Sequence, residues 1–223
     1  ITVGVLRYFP PQYQLDANGK PGGFGVETIE AIARRAGVEL RYRLYDEWGE
    51  LHQALQDRDV DLVPNMGITD FRSEWACFSV PLETFAVSLF CRSGNTQIDS
   101  LDDFKTRPVG VVKDNVGVKI TEQHGNLNVT VFPDAFDAMH ALLSGNVDGV
   151  IFPQPVFLKL ARDARLEERI EVVGPPLREI KRGIGCARCN HELSDCLAPY
   201  IEDFLQSPEY RAIYAKWYGS PPP

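Results

Sequence analysis

Residues 64 to 72, Pro64-Asn65-Met66-Gly67-Ile68-Thr69-Asp70-Phe71-Arg72, place a permanent cation and a glycine directly after a short apolar run. Val60 to Val63 reads as a buried strand that Pro64 and Asn65 bring to a stop, and Gly67 lets the backbone approach a guest. Thr69 and Asp70 can each cap a following turn, leaving amide N–H groups pointing outward. Arg72 then adds a planar charged fork that suits a carboxylate or a phosphate. The chemistry this stretch offers is anion binding. The same residues describe equally well a capped helix whose arginine makes a surface ion pair.

Other chemistry is thinner. The four histidines, His52, His124, His140 and His191, fall in no nucleophile, phosphate-loop or metalloprotease pattern, so no catalytic residue and no cofactor is assigned. Cys186, Cys189, His191 and Cys196 have the ligand types for zinc, but their spacing is not that of a paired knuckle. A disulfide or buried thiols is the simpler reading, and no metal is expected. With five cysteines, an odd number, at least one stays unpaired if all bonds form within the chain. Phe9, Phe24 and Trp48 lie beside turn residues, where a flat ring can stack on a small guest, although rings in isolation are more often core. Asp114-Asn115-Val116-Gly117 opens a helix whose first N–H groups could face the same guest.

The elements that must position these groups alternate strand and helix. Ile1 to Leu6 is a strand, Asp16 to Gly23 a turn cluster, and Val26 to Ala36 a helix closed by Gly37. Leu40 to Leu44, a helix over Leu51 to Leu55, and Val60 to Val63 complete a first βαβαβ unit. After the strand Phe85 to Cys91 the order recurs: Ser100 caps a turn at Leu101, Pro108 to Val112 and Asn128 to Phe132 are strands, Ala135 to Leu143 is a helix, and Gly149 to Phe152 is a strand ended by Pro153. The segments Leu55 to Val63 and Leu143 to Ile151 carry the same helix end, turn and Val-Asp strand start. Further strands at Ile170 to Val173 and Gly183 to Cys186 lead to two closing helices. Two parallel sheets covered by helices are expected, with guests beyond the carboxyl ends of the strands.

Bulk properties agree with a soluble α/β protein, at 44% apolar and 24% charged residues. The net charge of −8 argues against nucleic acid or an anionic membrane as partner. The chain has no initiator Met, no signal-peptide core and no apolar run of about 18 residues, which reads as a processed or trimmed chain.

Together, Gly23-Phe24-Gly25-Val26-Glu27, Ala54-Leu55 before Val60-Asp61-Leu62, Gly67-Ile68-Thr69-x-x-Arg72, Phe78-Ser79-x-Pro81, Gly145-x-Val147-Asp148 and Tyr210-x-x-Ile213-Tyr214-x-Lys216-Trp217-Tyr218-Gly219 resemble the type II periplasmic solute-binding proteins of the amino-acid-binding branch (family 3). The resemblance implies an α/β two-lobed clamshell, each lobe a mostly parallel sheet flanked by helices. Lobe one would be residues 1–91 with 182–223 and lobe two 92–181, with a ligand cleft between them. It implies that Arg72 clamps a ligand carboxylate with help from backbone at Asn65 and Gly67. Thr69 would bind the ligand as well, Phe9, Phe24 and Trp48 would flank it, and Asn115, Val116 and Phe152 would contribute from lobe two.

Family members commonly hold an α-ammonium with acidic residues where this chain has Leu6 and Pro153. A buried ammonium without a counter-charge costs several kcal/mol, so the expected ligand is a small carboxylate other than a standard α-amino acid. The phrases Pro64 to Thr69, Pro81 to Phe85 and Trp217 to Pro222 are similar to the version fused to bacterial transmembrane histidine kinases and diguanylate cyclases. That implies a periplasmic sensor domain tethered to the inner membrane, in a receptor compatible with a homodimer. A free binding protein of an ABC transporter is the alternative.

Overall fold

A computed structural model describes residues 1–187, 191–219 and 222, with His191 described for its backbone alone; Cys189 and the tail residues Pro221 and Pro223 lie outside the described residues. The chain divides into two compact units, 1–84 with 180–223, and 85–179. The sequence reading placed the crossings near Cys91-Arg92 and Lys181-Arg182.

In the first unit β1 (Thr2–Leu6) is followed by a small antiparallel sheet of β2 (Tyr8–Phe9), β3 (Tyr13–Leu15) and β4 (Pro21–Gly22). The Asp16 carboxylate closes the β3–β4 turn by accepting from the N–H groups of Asn18 and Lys20. Helix α1 (Phe24–Ala36) buries Val26, Ile29 and Ile32 at helical spacing and ends on Gly37, whose φ of 68° suits a residue without Cβ. Then come β5 (Arg41–Tyr45), α2 (Trp48–Gln56), β6 (Leu62–Gly67), the four-residue α3 (Asp70–Ser73) and β7 (Ala76–Phe78). Strand β8 (Glu83–Arg92) carries the chain into the second unit.

The second unit adds a 3-10 turn at Leu101–Lys105, β9 (Pro108–Val112), α4 (Val116–His124), β10 (Asn128–Phe132), α5 (Ala135–Ser144), β11 (Gly149–Pro153) and α6 (Gln154–Asp163). Strand β12 (Ile170–Ala187) returns to the first unit, which closes with α7 (His191–Gln206) and α8 (Pro208–Tyr218). Helix α1 packs on both closing helices. Arg35 pairs with Asp203 at 2.9 Å and Glu209 at 2.6 Å across that seam.

The two units repeat one design. In each, the first strand is central and parallel to the second and third: β5-β1-β6 in one, β10-β9-β11 in the other. An antiparallel strand extends each sheet beyond the third, β12 on β6 and β8 on β11. The repeated Val-Asp marks equivalent positions. Asp61 N–H donates to the Thr2 carbonyl and Asp148 N–H to the Pro108 carbonyl, both at 2.8 Å. The Asp61 carboxylate also accepts from the Thr2 N–H at 2.7 Å. Pro108 has no N–H to give, and the Asp148 carboxylate accepts from Arg92 Nη2 at 2.8 Å instead.

Three expectations need correction. Pro64 and Asn65 do not stop the third strand, which runs on to Gly67. Its partner β12 shifts register between Gly183 and Gly185, and a bulge there spares the ladder the N–H that proline lacks. Pro175 and Pro176 do not divide two strands, because both are exposed within the continuous β12. Helix α6 was not anticipated: Pro155 sits in its first turn, where a missing N–H costs nothing.

Candidate functional site

Strand ends of the first unit bring the sequence's anion hook against aromatic rings. Trp48 opens α2 and meets Phe9 edge to face with centroids 5.3 Å apart, and Tyr13 at 6.2 Å. On α3, Thr69 Oγ1 accepts the Arg72 N–H at 3.3 Å. The Arg72 guanidinium stands 5.4 Å over the Trp48 ring, and its Nη1 donates to the Gly67 carbonyl at 3.1 Å. Arg182, from β12, stands 5.7 Å over the Phe9 ring. Two guanidinium groups therefore share one aromatic floor. Gly67 makes room for them, since a Cβ there would lie 2.9 Å from Arg72 Nη1 and 3.0 Å from Ile180 Cγ2.

The two cations are compensated differently. Arg182 is 4% exposed, with Glu83 Oε1 3.5 Å from its Nε. Its Nε donates to Asn65 Oδ1 at 3.0 Å and its Nη2 to the Asn65 carbonyl at 2.5 Å. Arg72 is half-buried and makes no ion pair among the described residues. Burial first, and then the charge of Arg182, push its pKa down to about 9. A cation in that state is stabilised by an incoming anion. His52, beside Trp48, adds no charge: burial and the nearby Arg72 lower its pKa to about 3, and its buried Nε2 has no partner among the described residues.

Behind the arginines lies a buried polar cluster that sequence reasoning missed. Asn65 is its hub. Its Nδ2 donates to Gln12 Oε1 and, at 2.5 Å, to Glu83 Oε1, while its N–H donates to the Tyr13 hydroxyl at 2.9 Å. Its carbonyl accepts from Tyr13 at 2.8 Å as well as from Arg182. The Tyr218 hydroxyl donates to Glu83 Oε2 and accepts from Gln12 Nε2. Members come from β3, β6, β8, β12 and α8 and from the residue before β3. The signal available was an acidic residue at Glu83 and a basic one at Arg182, each next to apolar strand sequence near a chain crossing.

Burial pushes the Glu83 carboxyl up to about 7 against the attraction of Arg182 and the hydrogen bonds it accepts. The folded chain therefore holds a proton that an ordinary glutamate, at 4.5, has released. Stability should fall as pH rises from about 4.5 to about 7 and level off above, by on the order of 3 kcal/mol. Melting temperatures across this range check it: Glu83→Gln should remove the slope, and an unchanged slope would assign it elsewhere.

The structure revises several site expectations. Phe24 is fully buried in a ring cluster with Tyr210, Tyr214 and Tyr218, so it is core and no ligand platform. The Asn65 backbone cannot assist a ligand, because its N–H and carbonyl are both engaged by Tyr13 and Arg182. Around α3, Thr69 takes the N–H of Arg72 through its hydroxyl and that of Ser73 through its carbonyl, so those amides do not point outward. Phe9 and Trp48 are 6% and 7% exposed, so only their rims remain accessible. In the second unit Asn115 is the N-cap of α4, buried, with Oδ1 unpartnered among the described residues; Val116 beside it is half-buried. Phe152 is buried in β11 with its ring 5.8 Å from Phe157. The zinc reading cannot be placed in full, since Cys189 lies outside the described residues.

Two repeated α/β units and a cationic, aromatic-floored cluster at strand ends mark a protein built to bind small molecules. The chain belongs to the bacterial extracellular solute-binding proteins, family 3, whose family model matches residues 1–220. A histidine kinase sensor domain with similarity to periplasmic binding proteins has a TM-score of 0.91 and 26% identity, covering 100% of this chain and 97% of that one. An ancestral arginine-binding protein bound to arginine has a TM-score of 0.86 and 30% identity, covering 98% and 97%. The L-cystine-binding protein TcyJ of Escherichia coli (strain K12) is 23% identical over 223 residues, covering 99% of this chain and 83% of that protein. Among the described residues no helix is long and apolar enough to cross a membrane.

Proposed function

We propose that the chain is the extracytoplasmic sensor domain of a bacterial transmembrane receptor of the histidine kinase type, tethered to the inner membrane in the full protein, and that it binds a small carboxylate-bearing molecule without catalysing a reaction. The observation carrying the ligand class is Arg72, a guanidinium held over Trp48 with no ion-pair partner among the described residues and with its pKa lowered to about 9. Phe9, Trp48, Gly67 and Arg72 form the proposed carboxylate site, and Thr69 positions Arg72. The likeness to a histidine kinase sensor domain supports the receptor role. A ligand signals only through a preference for one conformation over another, since equal affinity shifts nothing.

The proposed ligand is not a standard α-amino acid held in the usual way. Leu6 and Pro153 end β1 and β11 as buried apolar residues, leaving no carboxylate at either place for an ammonium. The second reading, a free periplasmic binding protein delivering amino acids or related metabolites to a transporter, is favoured by the likeness to TcyJ and to the arginine-binding protein.

A thermal-shift screen separates the ligand classes. Carboxylates without an ammonium should raise the melting temperature, by about 2.7 kcal/mol of added stability at a hundredfold excess over Kd. Tight calorimetric binding of glutamine, arginine or glutamate would overturn the exclusion of amino acids. In the full coding sequence, a membrane helix and kinase domain after Pro223 support the receptor, and a stop codon supports the transporter component.

A further inference from the structure

Two of the cysteines whose pairing the sequence left open face each other across a sheet. Cys77 on β7 and Cys186 on β12 are directly opposed in antiparallel register, between the Ala76–Ala187 and Phe78–Gly185 pairs. Residues opposed in this way have Cα atoms about 4.5–5.5 Å apart, inside the roughly 4.4–6.8 Å that a disulfide spans. Cys77 Sγ lies 3.7 Å from the Cys186 carbonyl and 3.6 Å from that of Ala187, on the side of the strand where Cys186 sits. The Cys186 thiol is held well above the usual thiol range, first by its hydrogen bond with the Cys77 side chain and then by burial.

We propose that Cys77 and Cys186 form a disulfide tying β7 to β12 when the protein meets a disulfide oxidant, as an extracellular family member would. Cys77 is half-buried and Cys186 is 1% exposed, which sets the order of events. The Cys77 thiolate attacks one sulfur of the oxidant's disulfide, forming a mixed disulfide and releasing one oxidant thiolate. Cys186 gives its proton to that thiolate and attacks the Cys77 sulfur, releasing the second oxidant sulfur as a thiol once it takes up the proton Cys77 lost. Two protein thiols are oxidised to one disulfide, and one oxidant disulfide is reduced to two thiols.

The position has a consequence for the fold. Cys77 precedes the outgoing crossing at 84/85 and Cys186 follows the returning one at 179/180, so the bond closes a loop of about 110 residues that contains the entire second unit. The bond also fixes β7, which follows Arg72, to the strand that carries Arg182.

The test uses the full chain, purified reduced and then incubated with oxidised glutathione. After alkylation under denaturing conditions and tryptic digestion, Arg188 separates Cys186 from Cys189, and fragmentation distinguishes Cys77 from Cys91. The expected result is one linked pair, Cys77 to Cys186, and a melting temperature about 10 °C higher than that of the reduced protein, a gain lost on adding a thiol reductant. Alkylated Cys186, or Cys77 joined to Cys189, would overturn the proposal. Cys186→Ala supplies a second measurement: it should abolish the redox-dependent shift, and a shift that persists would also sink the assignment.

Discussion

Replacing Arg182 with methionine should destabilise the protein by about 3–5 kcal/mol at pH 8, the cost of leaving a buried carboxylate without its counter-charge. Glu83 Oε1 is 3.5 Å from Arg182 Nε, and both side chains are at least 95% buried. The penalty should shrink as pH falls below 7, because a Glu83 carboxyl already raised to about 7 takes up a proton and no longer needs the cation. Urea unfolding of the wild type and Arg182→Met at pH 5 and pH 8 tests both halves. Adding Glu83→Gln to Arg182→Met should recover part of the loss at pH 8. An equal penalty at both pH values would mean that Arg182 acts through its hydrogen bonds to Asn65 and its packing on Phe9, not through the charge of Glu83.

Arg72→Met should weaken carboxylate binding by at least about 30-fold, since truncating one partner of a desolvated charge pair costs roughly 2–5 kcal/mol. The same change should leave the unliganded protein as stable as before or more so. Arg72 is a half-buried cation beside a second one, without a carboxylate partner among the described residues, and methionine keeps an apolar contact with Trp48. Calorimetry with a ligand found by thermal shift, alongside thermal melts of the free proteins, separates the effects. A variant that loses stability in proportion to affinity would show Arg72 to be structural.

The outline of both units could be read from the sequence because it rests on local signals. Apolar spacing placed α1, Gly37 closed it, Ser100 marked the turn before β9, and the repeated Val-Asp announced that β6 and β11 are equivalent. Proline misled the reading in β6, β12 and α6. Its cost depends on whether the N–H it lacks would have had a partner, and that is decided by a bulge, an exposed edge or a first helical turn elsewhere in the fold.

The site divided along the same line. The hook from Gly67 to Arg72 is contiguous, and its residue types reveal its chemistry. The Asn65 cluster draws Gln12, Tyr13, Glu83, Arg182 and Tyr218 from distant parts of the chain, and nothing in the neighbours of any one residue announces the others. Phe24 failed as a ligand platform for a related reason: the three tyrosines that enclose it, spaced four apart on α8, lie near the other end of the sequence.

Helix ends ordinarily fray, and domain boundaries are drawn where few contacts cross. The last turn of α8 departs from this. Tyr218 closes the helix against Phe24 and Tyr214, and its hydroxyl joins Gln12 to Glu83. A fragment ending before Tyr218 would keep every strand of the first unit yet expose Glu83 to a missing partner. The last side chain of α8 is thus a working part of the buried cluster, one residue before Gly219 ends the helix.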